Sequence, residues 1–154
     1  GRIDVDKPEL VELERADAAL GCGLGDELGR LALAGVDDPH HNLHDYSTIA
    51  GAPHPDADLS IALLHAPYRE VLDAFERDGY QLALSGHTHG GQICLPGERA
   101  IVTNADIDRE RASGLHRFGH MWMEVSNGLG TSKYAPVRIF CPPSAALLHI
   151  TERP

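Results

Sequence analysis

The sequence predicts a single α/β domain over residues 1–154, a parallel βαβ portion followed by a mostly antiparallel second layer. The first observation behind this is an apolar run, an amphipathic segment and a second apolar run between Leu59 and Leu84. A strand, helix and strand within about 30 residues form a crossover unit, which makes the two strands parallel. The second is a change of pattern past Gln92, where short apolar runs alternate with Gly, Pro, Asn and Ser turns. The third is bulk composition: 154 residues, 42% hydrophobic and 23% charged, suit one folded core and leave no room for two ordinary domains. No internal repeat, low-complexity run or linker divides the chain.

Asp6-Lys7-Pro8-Glu9 has the marks of a helix start, with a capping Asp, Pro in the first turn and acid near the dipole's positive end. Leu10, Leu13, Ala16 and Leu20 then share one face, and Gly21 is a natural stop. Gly21-Cys22-Gly23-Leu24-Gly25 lacks the Gly-Lys-Ser/Thr ending of a phosphate-cradling loop and is read as a plain turn. Arg30–Val36 is expected to be a strand ending at Asp37-Asp38-Pro39. Acid at a strand's C-terminal end is a frequent place for a site residue, and an Asx-turn before Pro39 accounts for it equally well. His40-His41-Asn42-Leu43-His44-Asp45-Tyr46 is rich in His but fits no compact ligand spacing. It is expected to be a mobile or partly helical surface segment, with substrate contact as its role if it has one.

Leu59–His65 is the next buried strand, and Pro67 opens a helix through Asp78 with Tyr68, Val71, Leu72 and Phe75 on one side. Gly79 ends it and the strand Gln81–Leu84 follows. Parallel pairing brings the ends carrying His65 and His87 to the same edge of the sheet. Beyond Gln92, strands are expected at Ile93–Pro96, Ala100–Thr103, Phe118–Val125, Val137–Cys141 and Ala145–Ile150, with a helical turn or two over Ile107–Ala112. Trp122, Met121 and Met123 are expected in core or sheet packing, and His149 at a core or edge position. His116 and His120 are given no role. In Ser126-Asn127-Gly128-Leu129-Gly130-Thr131 the glycines suggest a tight turn, with an anion-binding backbone as the sharper reading.

Charge limits the function. Thirteen Lys and Arg against 23 Asp and Glu give a formal charge of −10, which disfavours general nucleic-acid binding. An anionic substrate then needs local positive charge, such as bound divalent cations. Cys22, Cys94 and Cys141 are an odd count without a CxxC pair, so neither a disulfide framework nor a cysteine zinc site is indicated. A reducing, cytoplasmic compartment is the default expectation. No apolar run approaches 18 residues, so membrane contact is not indicated, and the chain opens on Gly1-Arg2-Ile3-Asp4 rather than on a signal sequence.

The chemistry concentrates in Leu84-Ser85-Gly86-His87-Thr88-His89-Gly90-Gly91-Gln92. Two imidazoles at i and i+2 of an extended segment point to one side, and imidazole suits zinc, iron or manganese. This string resembles the last metal-ligand motif of the calcineurin-like metallophosphoesterases, in particular the bacterial branch with Ser-Gly-His-Thr-His-Gly-Gly-Gln. Leu63-Leu64-His65-Ala66-Pro67 and Val137-Arg138-Ile139-Phe140-Cys141-Pro142-Pro143 continue the resemblance. It implies part of an α/β/β/α sandwich and hydrolysis of phosphomonoesters, phosphodiesters or pyrophosphates by metal-activated water.

The resemblance also implies that His65 and His87 bind one metal and His89 the other, the ions being Mn, Zn or Fe. It places Asp37 and Asp38 on the rim of the site, and Asn127 and Arg138 are candidate substrate contacts. The remaining ligands of that family come from an upstream Asp-x-His, Gly-Asp-x-x-Asp and Gly-Asn-His-Asp/Glu. None is present, and Gly29 stands where the second Asp after Gly25-Asp26 belongs. The expectation is therefore the C-terminal half of a metallophosphoesterase domain, holding at most one ion and weak or inactive by itself toward a small phosphorylated substrate. Two alternatives remain: a mononuclear zinc hydrolase with three histidine ligands, and a non-catalytic fragment or scaffold that pairs with a second copy through an exposed sheet edge.

Overall fold

Runs such as Leu-Ser-Ile-Ala-Leu-Leu, apolar on nearly every position, belong to strands covered on both faces, and the chain uses several of them side by side. The computed structural model describes residues 20–22 (backbone only), 30–38, 41 and 43–150. Its strands are β1 (Leu20–Cys22), β2 (Leu31–Val36), β3 (Leu59–Leu64), β4 (Leu82–Ser85), β5 (Cys94–Leu95), β6 (Arg99–Ala100), β7 (Gly114–Phe118) and β8 (Met121–Val125). Its α-helix is α1 (Arg69–Asp78). The main sheet has the order β1-β2-β3-β4-β8-β7, and β5 pairs with β6 in a second, two-stranded antiparallel sheet. The fold is α/β, with mostly parallel pairing in the main sheet.

Strands β2, β3, β4 and β8 are mutually parallel, with Leu33 opposite Ile61, Ala62 opposite Ala83 and Leu82 opposite Trp122. Their carboxyl ends therefore lie along one edge, where chain-end chemistry in α/β sheets collects. Helix α1 joins β3 to β4. Glu70 in its first turn and Arg77 in its last complement the helix dipole, and Gly79, at φ 94°, ends it by donating its N–H to Glu76 and Phe75 carbonyls. Of its buried residues, Val71, Leu72, Ala74 and Phe75, all but Ala74 share a core with alternate residues of the sheet: Ala34, Val36, Ala62, Leu64, Ala83, Met121, Met123 and Val125. Phe75 is fully enclosed and meets Tyr46 and Tyr80 edge-on, each at 4.9 Å between centroids. Burying such a ring contributes roughly 1.5–3 kcal/mol.

Several expected elements differ. Leu20-Gly21-Cys22 is not a helix end and turn but a strand antiparallel to β2, where the pairing of Leu20 with Leu33 overrides the helical spacing. The rest of the expected helix, from Asp6 on, lies outside the described residues. Phe118–Val125 is not one strand: Gly119, at φ 58°, and His120 break it into the hairpin β7–β8. Strand β8 then joins the parallel sheet instead of the second layer. Val137–Cys141 pairs only through the bridge of Ile139 to Ile93, and Ala145–Ile150 forms no strand. Met121 and Met123 are core, but Trp122 points away from α1, 42% exposed, with the Arg117 guanidinium 4.6 Å over its ring. His149 is exposed.

The end of the His-rich segment opens a short 3-10 turn, as the partly helical alternative expected, and is docked on α1. The Tyr46 hydroxyl donates to Asp78 Oδ2 at 2.8 Å, the Gly51 N–H donates to the same oxygen, and a 3-10 turn over Tyr46–Thr48 is capped by Asp45. His40 and Asn42 lie outside the described residues.

Candidate functional site

Every candidate residue except Arg138 follows the carboxyl end of one of the four parallel strands. Asp37 and Asp38 follow β2, His65 follows β3, His87 and His89 follow β4, and Asn127 follows β8. The topology alone gathers them, because parallel strands start and stop together.

The segment carrying the two motif imidazoles is not extended, as its spacing suggests. Strand β4 stops at Ser85, and His87 (φ 67°), His89 (φ 51°), Gly90 (φ 66°), Gly91 (φ 89°) and Gln92 (φ 55°) all take left-handed backbone. Such conformations cost non-glycine residues free energy and persist only where the surroundings hold them. The surroundings are specific. Buried Thr88 donates its hydroxyl to Ala112 O at 2.7 Å, and Gln92 spans Ala135 O and the Ser132 N–H with its amide. Gly90 is irreplaceable on space as well as on φ: a Cβ there would sit 2.5 Å from Asn127 Oδ1 and 2.7 Å from Cys141 Sγ.

His65 and His87 come together. Nε2 of His65 lies 3.0 Å from Nδ1 of His87, with the rings edge-to-face at 5.0 Å between centroids. Nε2 of His87 is 3.1 Å from Asn104 O. A carbonyl only accepts, so that nitrogen carries the proton and Nδ1 keeps its lone pair, turned to His65. Two imidazole nitrogens on one tetrahedral ion with bonds of about 2.0–2.1 Å stand roughly 3.3 Å apart, so this separation suits a shared cation.

His89 stands differently. Burial, followed by the Arg138 guanidinium and His65, pushes its pKa below 6.5 against a smaller raising effect of the Asn127 backbone. It is neutral at pH 7, the state a ligand needs. Among the described residues, no three His, Cys, Asp or Glu side chains surround a common point as they stand. The donor set thus suits a divalent ion in chemistry but does not by itself complete a cage.

Of the other candidates, Asp38 O accepts from the N–H groups of His41 and Leu43, forming a turn, while its Oδ2 lies 3.9 Å from His65 Nε2. Asp37 is exposed and accepts from the Asp38 N–H at 2.6 Å. Asn127 is buried, and its Oδ1 has no hydrogen-bond partner among the described residues. Arg138 is committed inward: Nη1 donates to His89 O at 3.0 Å, Nη2 to Asn127 O at 2.8 Å and Nε to Gly130 O at 3.0 Å. Sequence reasoning missed Asn104, which fixes the His87 tautomer through a backbone carbonyl and so leaves no residue-type signal.

No family model matches the chain, and no solved structure matches it. It is 32% identical over 126 residues to the uncharacterized protein YpbG of Bacillus subtilis (strain 168), covering 77% of this chain and 41% of that protein. It is 36% identical over 87 residues to YkuE of the same organism, named an uncharacterized metallophosphoesterase, covering 55% of this chain and 28% of that protein. That likeness suggests the metallophosphoesterase family. The chain spans less than half the length of these curated relatives. Among the described residues, no helix is long and apolar enough to cross a membrane.

Proposed function

We propose that the chain carries the C-terminal half of a metal-dependent phosphoesterase domain, with His65, His87 and His89 as its share of the metal ligands. The observation that carries this reading is the meeting of His65 Nε2 and His87 Nδ1 at 3.0 Å on the carboxyl edge of parallel strands. The partial likeness to a protein named a metallophosphoesterase supports it. Bound divalent ions supply a water of lowered pKa and a clamp on the phosphoryl oxygens.

The chain's own residues hold and orient. Asn104 O fixes the His87 tautomer, Arg138 holds the His89 carbonyl, and the positive-φ turn His87–Gln92 sets where both rings emerge. At pH 7 the neutral His89 brings no charge to oppose a cation. The bridging carboxylate and the leaving-group His of that family belong to motifs absent from these 154 residues. The chain alone is therefore a metal binder with little turnover, and the complete domain is the phosphohydrolase. Its substrate is a small phosphorylated molecule.

The test is hydrolysis of bis(p-nitrophenyl) phosphate with Mn²⁺, by the chain alone and by the chain fused behind the N-terminal portion of a metallophosphoesterase. The fusion should hydrolyse the ester and lose activity with His65→Gln or His87→Gln, while the chain alone is slow. A folded, metal-loaded fusion that is inert refutes the reading, as does hydrolysis indifferent to both substitutions.

A further inference from the structure

Helix α1 starts without a cap of its own. Tyr68 stands at its N-cap position and makes no side-chain hydrogen bond there, so the first-turn N–H groups need an acceptor from elsewhere. Asp106 supplies one from 37 residues away: its Oδ1 accepts from the Arg69 N–H at 2.7 Å. Arg69 returns the contact twice. Its Nε donates to Asp106 O at 2.9 Å and its Nη2 to Asp108 Oδ1 at 3.2 Å. The loop gripped in this way also carries Asn104, whose carbonyl accepts from His87 Nε2 at 3.1 Å.

Asn104 takes left-handed backbone, φ 52°, which a non-glycine residue keeps only where its surroundings hold it. On one side, buried Thr103 folds the loop by donating its hydroxyl to Ala105 O at 2.8 Å. On the other, Ile107 is buried in the core that α1 shares with the sheet. Between these anchors Asn104 and Asp106 are exposed, and the Arg69–Asp106 pair ties their loop to the helix.

We infer that Arg69 and Asp106 are positioning residues for His87. Their reciprocal clamp holds loop 103–108 so that Asn104 O keeps the ring proton on Nε2 and leaves Nδ1 turned to His65. The clamp touches no reacting atom. It acts through one carbonyl, as the outer hydrogen-bond partners of metal-bound imidazoles do. Its chemical consequence rests on the reading of His87 as a ligand; the clamp itself concerns only how the ring is held.

The experiment is ¹⁵N NMR of the His87 ring in the full chain, at a pH where the ring is neutral, reading the ratio of the two tautomers. The form protonated at Nε2 should dominate in the unaltered chain. Asp106→Ala and Arg69→Gln should each lower its ratio to the other tautomer about fivefold. Asp106→Asn keeps a capping oxygen and should stay within about twofold of the unaltered chain. Arg111→Gln, which removes a 3.7 Å ion pair with Asp108, should also stay within about twofold. Should Asp106→Ala fail to fold, Arg69→Gln decides alone, since that side chain is 48% exposed. A ratio that Arg69→Gln leaves within about twofold overturns the clamp and leaves the phosphoesterase reading intact. So does a shift with Arg111→Gln as large as with Arg69→Gln, which would mean general loosening of the loop. A clamp-dependent ratio in a fusion whose hydrolysis ignores His87→Gln sustains the clamp and removes the phosphoesterase reading.

Discussion

Arg138→Met tests whether that guanidinium is an architectural fork or an anion contact. The structure gives it directed hydrogen bonds to His89 O at 3.0 Å and Asn127 O at 2.8 Å, both part-buried, and to the more exposed Gly130 O at 3.0 Å. Hydrogen bonds to a charged donor contribute about 1.5–3 kcal/mol each, and water replaces the exposed one cheaply. Counting only the two part-buried bonds, the substitution costs roughly 3–6 kcal/mol. For a domain of this size that lowers Tm by about 6–24 °C. Lysine keeps the charge but not the fork, so Arg138→Lys should recover less than half of the loss. The assay is thermal unfolding by circular dichroism, with and without inorganic phosphate. Arg138→Met melting within about 2 °C of the unaltered chain refutes the architectural role. So does Arg138→Lys melting with the unaltered chain, or a phosphate-induced stabilisation that disappears with Arg138.

Two further substitutions probe the frame of the site. Gly90→Ala should destabilise by about 2–4 kcal/mol in urea unfolding, since the added carbon meets Asn127 and Cys141 and the residue sits at φ 66°; an unchanged midpoint would show that the turn relaxes. Glu124 is buried, and burial raises its pKa above 4.5 against a smaller lowering from His116. The folded carboxyl therefore binds its proton more tightly than the unfolded one. Its contribution to stability is fully present below pH 4.5 and is lost as pH rises through the folded value. Glu124→Gln should accordingly raise Tm at pH 7 more than at pH 4, and an equal effect at both would contradict the burial argument.

Legibility followed the range of the interactions. The crossover from Leu59 to Ser85 was readable because helix and strand periods are local properties, and α1 with its Gly79 cap matches the spacing of Val71, Leu72 and Phe75. Strand β8 was misplaced because whether a strand after a hairpin returns to the first sheet depends on Leu82 pairing with Trp122, about forty residues away. The two histidines of the motif were seen, but their shared direction was credited to an extended backbone; left-handed dihedrals, held by Thr88, Gln92 and Gly90, set it instead. Core and sheet packing stayed open for Trp122 because a sequence records hydrophobicity, not which side of a sheet carries the helix.

By itself the sequence determined the α/β class, the parallel unit, the acidic charge balance and which imidazoles are candidate metal ligands. All of these follow from residue type and near-neighbour spacing. Only the tertiary structure decided that His65 touches His87, that Asn104 sets the tautomer between them and that Asp38 joins the same edge. It also turned Arg138 inward to hold His89. The physical reason is that these contacts join the ends of strands brought side by side by the sheet, and residues so far apart in the chain share no local signal.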